Sequence, residues 1–319
     1  MQKNGQGIGL PWRKYRIELD LGNKSSISAF PAATLRGGFG ITLRGLVCAA
    51  SLSALCRECI LRGNCVYARV FEPSPSPGAP RLSKIENIPR PFILAPVQKG
   101  NKLSVTLTLF GNAGEALPYF IYTLNALGKK GLGRNRIPYS VTQVSNTGGD
   151  TVYSSDSDII KPEGPPNMLH ILPGATELGK AVLHFTTPFI IRENGRVLRS
   201  ITPRTFVATL LRRATNLNAF YGKNPETITD PAPYLKAAET LAMTWDLHRR
   251  NQTRFSTRQL REIDYTGFTG CVKMEGDIGT LMPLLLAGEI IGVGKNTVFG
   301  FGKYIFRKIE SGCQDEGTA

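Results

Sequence analysis

The chain has 319 residues, and its 39 Lys and Arg against 24 Asp and Glu give a formal net charge of +15. A charge of this sign suits a polyanion such as nucleic acid. The longest apolar run, 281–291, contains Gly288 and Glu289 and is shorter than the roughly 18 residues of a spanning helix, so no membrane partner is expected. The N-terminus lacks the apolar core of a signal peptide, which predicts a cytoplasmic protein.

The first half of the chain predicts the order strand, helix, strand, helix, strand. The first strand is predicted at 15–21, where apolar and polar residues alternate with period two. A helix is predicted at 31–46, because Leu35, Phe39 and Leu43 recur at helical spacing despite internal glycines. The remaining elements are a strand at 102–110, a helix at 116–127 and a strand at 137–144.

Four of the six cysteines lie within 18 residues, as Cys48, Cys56, Cys59 and Cys65, with the spacing C-x7-C-x2-C-x5-C. Since a reducing compartment disfavours disulfides, this pattern predicts a structural zinc site with four thiolate ligands. Buried thiols without a metal and an iron–sulfur cluster are the alternatives. A closed four-thiolate site has no open position for a substrate, so it would stabilise a loop rather than catalyse a reaction.

The second half of the chain repeats the order of the first. The stretch 145–173 is rich in Ser, Asp, Gly and Pro and is predicted as loop and linker. An amphipathic helix is predicted at 234–248 from one apolar stripe. The other elements are a strand pair at 180–191 broken at Pro188, a helix at 203–219 with Arg212 and Arg213 on its polar side, a strand at 268–273, a helix at 281–287 and a strand at 298–306. The predicted domains are 1–145, with a cysteine-rich insertion at 48–65, and 179–319, joined by a linker at 146–178.

A glycine motif occurs twice, and the second copy lies 161 positions after the first. The copies are Gly131-Leu132-Gly133-Arg134-Asn135 and Gly292-Val293-Gly294-Lys295-Asn296. Each copy follows an apolar helical stretch, which indicates two related domains. Glycine lets backbone N–H groups approach a phosphate and the basic residue neutralises its charge, so each copy predicts an anion-binding loop. The second copy is not a P-loop, because Glu289 stands where a glycine is required and Asn296 follows the lysine.

Four longer segments point to one family. They are G-E-I-I-G-V-G-K-N-T-V-F-G-F-G-K-Y (288–304), L-R-G-G-F-G-I-T-L-R-G-L-V-C (35–48), C-x-x-C…C-V-Y-A-R-V-F-E (56–72) and R-F-S-T-R-Q (254–259). Together they resemble the CRISPR-associated RAMP superfamily and, within it, the precursor-crRNA processing endoribonucleases. The resemblance covers nearly the whole chain. It implies an α+β fold of tandem ferredoxin-like (RRM-like) domains, with the glycine-rich loop at 288–304.

The resemblance also implies cleavage of repeat RNA without a catalytic metal. In that reaction the ribose 2′-hydroxyl attacks the adjacent phosphate and leaves a cyclic phosphate and a 5′-hydroxyl. Many relatives place a histidine near the first helix, but none of the three histidines of this chain lies there. His248, beside Arg249 and Arg250, is the histidine candidate, and a structural position at a helix C-terminus is its alternative. The other catalytic candidates are Arg36, Arg44, Tyr67 and Lys295, for each of which phosphate binding or surface solvation is the alternative.

RNA binding is expected at both glycine loops and on basic helix faces. The candidates are Gly131, Gly133, Arg134, Arg212, Arg213, Arg258, Gly292, Gly294, Lys295, Thr297, Gly300, Gly302 and Lys303. The expected partners are CRISPR repeat RNA, mature crRNA and other CRISPR effector subunits. Two further functions stay open: a RAMP subunit that binds guide RNA without cutting it, and a zinc-stabilised RNA-binding protein outside CRISPR systems.

Overall fold

The computed structural model describes residues 7–23, 31–52, 54–74, 88–193, 196–198, 201–225, 230–256 and 261–309. The chain divides into two compact units. The N-terminal unit comprises Leu10–Met168 and Ala219–Pro225; the C-terminal unit comprises Met1–Gly9, Leu169–Asn218 and Glu226–Ala319, as far as these ranges are described. In the described part of the chain, the helices are too short or too polar to cross a membrane.

The N-terminal unit has the order strand, helix, strand, strand, helix, strand. Its elements are β1 (Ile8–Asp20), α1 (Pro31–Val47), a short helix α2 (Val66–Phe71), β2 (Phe92–Lys99), β3 (Lys102–Phe110), α3 (Leu117–Lys130), β4 (Ser140–Asn146) and β5 (Thr151–Ser154). The strands form an antiparallel sheet in the order β2-β3-β1-β4-β5, in which Ile17 of β1 pairs with Val105 and Val144. The first four strands of this order define a ferredoxin-like fold.

The glycines of α1 have a packing role that explains why a helix tolerates them. Phe39 is fully buried and its ring stacks on Phe120 with 4.7 Å between centroids. A Cβ atom at Gly40 would lie 2.3 Å from the ring of Phe71, so only glycine admits this close approach of α2. The entropic cost of glycine in the helix, about 1 kcal/mol, is offset by this aromatic packing.

The C-terminal unit repeats the same fold. Its elements are β7 (Leu178–Phe189), a hairpin of β8 (Arg192–Glu193) and β9 (Arg196–Val197), α4 (Pro203–Tyr221), α5 (Ala232–Glu239), β10 (Ala242–Arg250), a hairpin of β11 (Thr253–Ser256) and β12 (Arg261–Asp264), β13 (Gly267–Asp277), α6 (Ile278–Ile291) and β14 (Tyr304–Ile309). The antiparallel sheet has the order β10-β13-β7-β14, which corresponds to β2-β3-β1-β4 of the first unit. The expectation of tandem ferredoxin-like domains is confirmed.

The prediction of a helix at 234–248 is wrong beyond Glu239. The helix α5 ends there, and 242–250 form the edge strand β10, in which half-buried Trp245 and Leu247 alternate with exposed Asp246 and His248. A short run of apolar residues can fit both helical spacing and period-two spacing, so the sequence alone did not distinguish a helix from a strand here. Pairing with β13 makes this segment a strand. His248 therefore lies on a strand, and the helix C-terminus alternative for it is excluded.

Other predicted elements need smaller corrections. The stretch 145–173, expected as loop and linker, contains β5 and β6 (Asn167–Ile171). The strand expected at 298–306 begins only at Tyr304, because Gly300 and Gly302 have φ of +82° and +70° and the chain turns there. The expected strand pair at 180–191 is the single strand β7, with Pro188 next to its end.

Candidate functional site

The repeated glycine motif is a repeat of backbone conformation as well as of sequence. Gly131 ends α3 with φ of +82°, and Gly292 ends α6 with φ of +70°. The second glycine of each copy also has a positive φ, +76° at Gly133 and +83° at Gly294. Residues with a side chain rarely adopt such values, so the four glycines are required by the turn that follows each helix.

Backbone N–H groups of both loops form hydrogen bonds within the fold. Leu132 donates to the Ile137 carbonyl at 2.7 Å, Val293 to the Gly302 carbonyl at 3.0 Å, and Lys295 to the Ile190 carbonyl at 2.8 Å. These amide groups fix the loops and are not directed at a ligand. The basic side chains of the two motifs, Arg134 and Lys295, are exposed to solvent.

The second glycine loop lies along the end of β7. Gly302 donates to the Pro188 carbonyl at 2.8 Å, and the Thr187 hydroxyl donates to the Gly300 carbonyl at 2.8 Å. The same hydroxyl oxygen accepts a hydrogen bond from the Lys303 N–H at 2.9 Å. Thr187 thus holds the loop from two sides, a role that sequence reasoning missed because a threonine in a strand gives no signal.

His248 lies at the same end of the C-terminal sheet as the glycine loop. Phe189, at the end of β7, pairs with Phe268 of β13, which pairs with Arg249 of β10. The ring of Tyr265, just before β13, contacts the rings of Phe299 and Phe301 of the loop at 5.6 and 6.2 Å. We call this region the basic end; it comprises 187–192, 248–250, 264–268 and 292–303.

The basic end carries several exposed cations. Arg192, Arg249, Arg250 and Lys295 are exposed, and Arg250 donates from Nε to the Thr269 hydroxyl at 3.3 Å. Hydrogen bonds from the Thr266 side chain and N–H lower the pKa of the Asp264 carboxyl, and the charges of Arg249 and Arg192 act in the same direction. Within the described ranges that make up the basic end, Asp264 is the single carboxylate, so the cations leave a positive surface that suits RNA phosphates.

Several other residues predicted to bind RNA are buried or half-buried within the C-terminal unit. Gly292, Thr297, Gly300 and Gly302 are buried, while Lys303 is half-buried. Arg212 is exposed on α4. The neighbouring Arg213 donates from Nε to the Ile291 carbonyl at 2.6 Å, and burial lowers the pKa of its guanidinium to about 9. Arg213 therefore satisfies the C-terminus of α6 directly before the loop. Arg258 lies outside the described residues.

Three catalytic candidates belong to the N-terminal unit instead. The guanidinium of Arg36 lies 4.4 Å from the centre of the Phe71 ring, and that ring stacks on Tyr67 at 5.3 Å. Arg44 lies 5.7 Å from the centre of the Tyr67 ring, and its Nη2 donates to the Ala54 carbonyl at 2.6 Å. The two stacked rings thus carry one arginine at each end, between α1 and α2, whereas His248 and Lys295 belong to the C-terminal unit.

The cysteine-rich insertion forms a second site in the N-terminal unit. Cys48, Cys56, Cys59 and Cys65 line one cavity together with Arg44 and Tyr67. Burial raises the pKa of the Cys56 thiol, although the charge of Arg44 opposes this shift. The four thiols that the sequence singled out are therefore neighbours in space.

Comparisons with known proteins cover both units. Residues 183–304 match the family model described as CRISPR-associated endoribonuclease Cas6, and residues 10–165 match a model described as an N-terminal domain. An uncharacterized protein of Archaeoglobus fulgidus is 27% identical over 305 residues, which cover 92% of this chain and 94% of that protein.

Solved structures of Cas6 proteins are similar along nearly the whole chain. Thermus thermophilus Cas6 has a TM-score of 0.52 at 18% identity, and the match covers 93% of this chain and 99% of that one. A Cas6 product complex has a TM-score of 0.53 at 17% identity with the same coverage, 93% and 99%. A chain of a partial Cas6-RT-Cas1–Cas2 complex has a TM-score of 0.52 at 11% identity, covering 94% of this chain and 46% of that one. At these identities the solved structures establish the fold.

Proposed function

We propose that this chain, whose residues 183–304 match the family model of CRISPR-associated Cas6 endoribonucleases, cuts CRISPR repeat RNA to mature crRNA and keeps the product bound. The observation that carries this proposal is the basic end, where exposed His248 and three exposed arginines lie at the same end of the sheet as the glycine loop that carries Lys295. The similarity to a Cas6 product complex supports it.

The proposed reaction needs no metal ion. The ribose 2′-oxygen forms a bond to the adjacent phosphorus while the bond from phosphorus to the 5′-oxygen breaks, which leaves a cyclic phosphate and a 5′-hydroxyl. One proton must leave the 2′-hydroxyl and one must reach the departing 5′-oxygen. A histidine suits both transfers because imidazole ordinarily changes charge between pH 5 and 8. We assign one of these transfers to His248.

Cations at the basic end would bind the RNA and stabilise the phosphorane. Lys295 follows two glycines of fixed conformation, so its ammonium group is presented from a rigid loop. Arg249 and Arg250 extend from an edge strand next to His248. Cations that are already in position before the reaction begins stabilise the additional negative charge of the transition state, because the protein and solvent do not have to reorganise around it. Other CRISPR effector subunits are proposed to receive the bound product.

The test is incubation of the purified chain with CRISPR repeat RNA in EDTA, beside the same RNA with a 2′-deoxy sugar at the cut. Cleavage of the ribose substrate alone is expected. His248→Ala should slow cleavage by about 10² to 10⁴, the usual contribution of a general acid or base. His170→Ala is the matched control, because His170 is also exposed on a strand but lies outside the basic end. Cleavage of the deoxy substrate, or equal rates of the two variants, would contradict the mechanism.

One observation favours a second function, a subunit that binds guide RNA without cutting it. The first helix carries no histidine, and its Arg36 and Arg44 are packed against aromatic rings. Tight binding of repeat RNA without cleavage of either substrate would favour this function over the first.

A further inference from the structure

The cysteine-rich insertion brings four thiols to one cavity. Cys48 follows the end of α1, Cys56 and Cys59 lie on a short turn, and Cys65 directly precedes α2. All four are half-buried, carry free thiols and line one small pocket that is partly open to solvent. The turn is closed by a hydrogen bond from the Cys59 N–H to the Cys56 carbonyl at 3.3 Å. Residues from three separate elements therefore converge on the same space.

Hydrophobic burial does not explain this convergence. Ile60 is 96% exposed and Leu52 is 62% exposed, and Leu55 and Leu61 are also exposed. An insertion that leaves its large apolar side chains in solvent gains little from the hydrophobic effect, and small segments of this kind need a cross-link. Four of the residues that line the pocket are cysteines instead, beside small residues such as Ala50, Ser51 and Ala54.

The charge around the cavity suits an anionic cluster. Arg44 and Arg62 line it, and Arg44 Nε is buried with no hydrogen-bond partner among the described residues. Leaving a buried donor unpaired costs about 1–3 kcal/mol. Four thiolates around Zn²⁺ would carry a net negative charge, and their sulfur atoms would accept a hydrogen bond from this N–H.

We propose that Cys48, Cys56, Cys59 and Cys65 bind one structural zinc ion. In the part of the chain that the structure describes, no three His, Cys, Asp or Glu side chains already stand in a metal-holding arrangement, so binding requires the thiols to turn into the cavity that they line. Four protein ligands leave no position for a substrate, so the zinc would fix the insertion against α1 and α2 and take no part in catalysis. The proposal is independent of the RNA cleavage proposed above.

The test uses the full chain, purified in a reductant that does not chelate metals. Elemental analysis should find about one zinc per chain in the unmodified protein. The double variant Cys56→Ser with Cys59→Ser should lose this zinc, whereas Cys271→Ser should keep it, because Cys271 lies on β13 in the other unit. Zinc that remains in the double variant, or iron together with sulfide in the unmodified protein, would overturn the assignment.

A second measurement avoids dependence on the variant's folding. Co²⁺ is added to the unmodified protein after its metal has been removed, and the absorption spectrum is recorded. Four thiolates around Co²⁺ give strong visible bands of a tetrahedral site and sulfur-to-metal bands in the near ultraviolet, which should saturate at about one equivalent and disappear on adding Zn²⁺. Absence of these bands would refute the site, and so would disulfides among the four cysteines detected by mass spectrometry in protein purified with reductant.

Discussion

The replacement Gly302→Ala tests whether the conformation of the glycine loop depends on one backbone contact. Gly302 has φ of +70°, and a Cβ atom there would lie 1.9 Å from the Val293 carbonyl oxygen. The left-handed conformation costs a residue with a side chain about 1–2 kcal/mol. Relief of the clash must also break the hydrogen bond from the Val293 N–H to the Gly302 carbonyl, which is worth about 1 kcal/mol. The C-terminal unit should therefore lose about 2–3 kcal/mol of stability.

Thermal unfolding followed by calorimetry gives the result. For a unit of this size the loss corresponds to a fall in Tm of about 4–12 °C. Gly179→Ala is the matched control in the same unit, because the nearest atoms to its added Cβ lie at 4.0 Å and its backbone is not left-handed. The control should stay within about 0.5 kcal/mol of the unmodified chain or gain slightly, since alanine lowers the entropy of the unfolded state. Equal melting of the Gly302→Ala variant and the control would refute the reasoning.

Three further predictions concern binding and stability. Lys295→Ala should weaken repeat RNA binding and reduce the slope of log K against log salt by about 0.7 to 0.9, measured by filter binding across salt concentrations; an unchanged slope would show that Lys295 meets no phosphate. Asp277 accepts hydrogen bonds from Thr280 and from the Glu177 N–H, which lower its carboxyl pKa below 3.8 although burial alone would raise it. The ionised carboxylate of Asp277 therefore stabilises the fold above pH 3.8, and this stabilisation is lost as the pH falls below that value. Asp277→Ala should lower the free energy of unfolding in urea by about 1–3 kcal/mol at pH 7 and by less near pH 3. An equal loss at both pH values would contradict this. Arg213→Leu should destabilise the end of α6 by about 1–3 kcal/mol, because the Ile291 carbonyl loses its donor, and Arg212→Leu, on the exposed side, should have little effect.

Local patterns in the sequence were sufficient for several elements. The strand β3 was predicted at its observed bounds, since apolar and polar residues alternate strictly over 103–109. The helices α1 and α4 were also confirmed from apolar residues at helical spacing. The duplicated glycine motif correctly indicated two related domains, because a left-handed turn after a helix restricts the residue type and so leaves a trace in the sequence.

The location of the candidate site was decided by long-range pairing. His248 was expected on a helix, and only its pairing with β13 shows that it lies at the same end of a sheet as the second glycine loop. No signal marked Thr187, because its role depends on two loop residues more than 110 positions away in the chain. Arg36, Arg44 and Tyr67 were grouped by chemistry with His248, but packing of α2 on α1 places them in a stack of their own.

The sequence by itself therefore determined the positive net charge, the repeated architecture and the grouping of four cysteines, since each follows from composition or from local spacing. The tertiary structure alone decided which cationic side chains are exposed to solvent and which form hydrogen bonds within the fold. Exposure depends on what packs over a side chain: Arg212 and Arg213 are adjacent in sequence, yet one faces solvent and the other binds the carbonyl that ends α6.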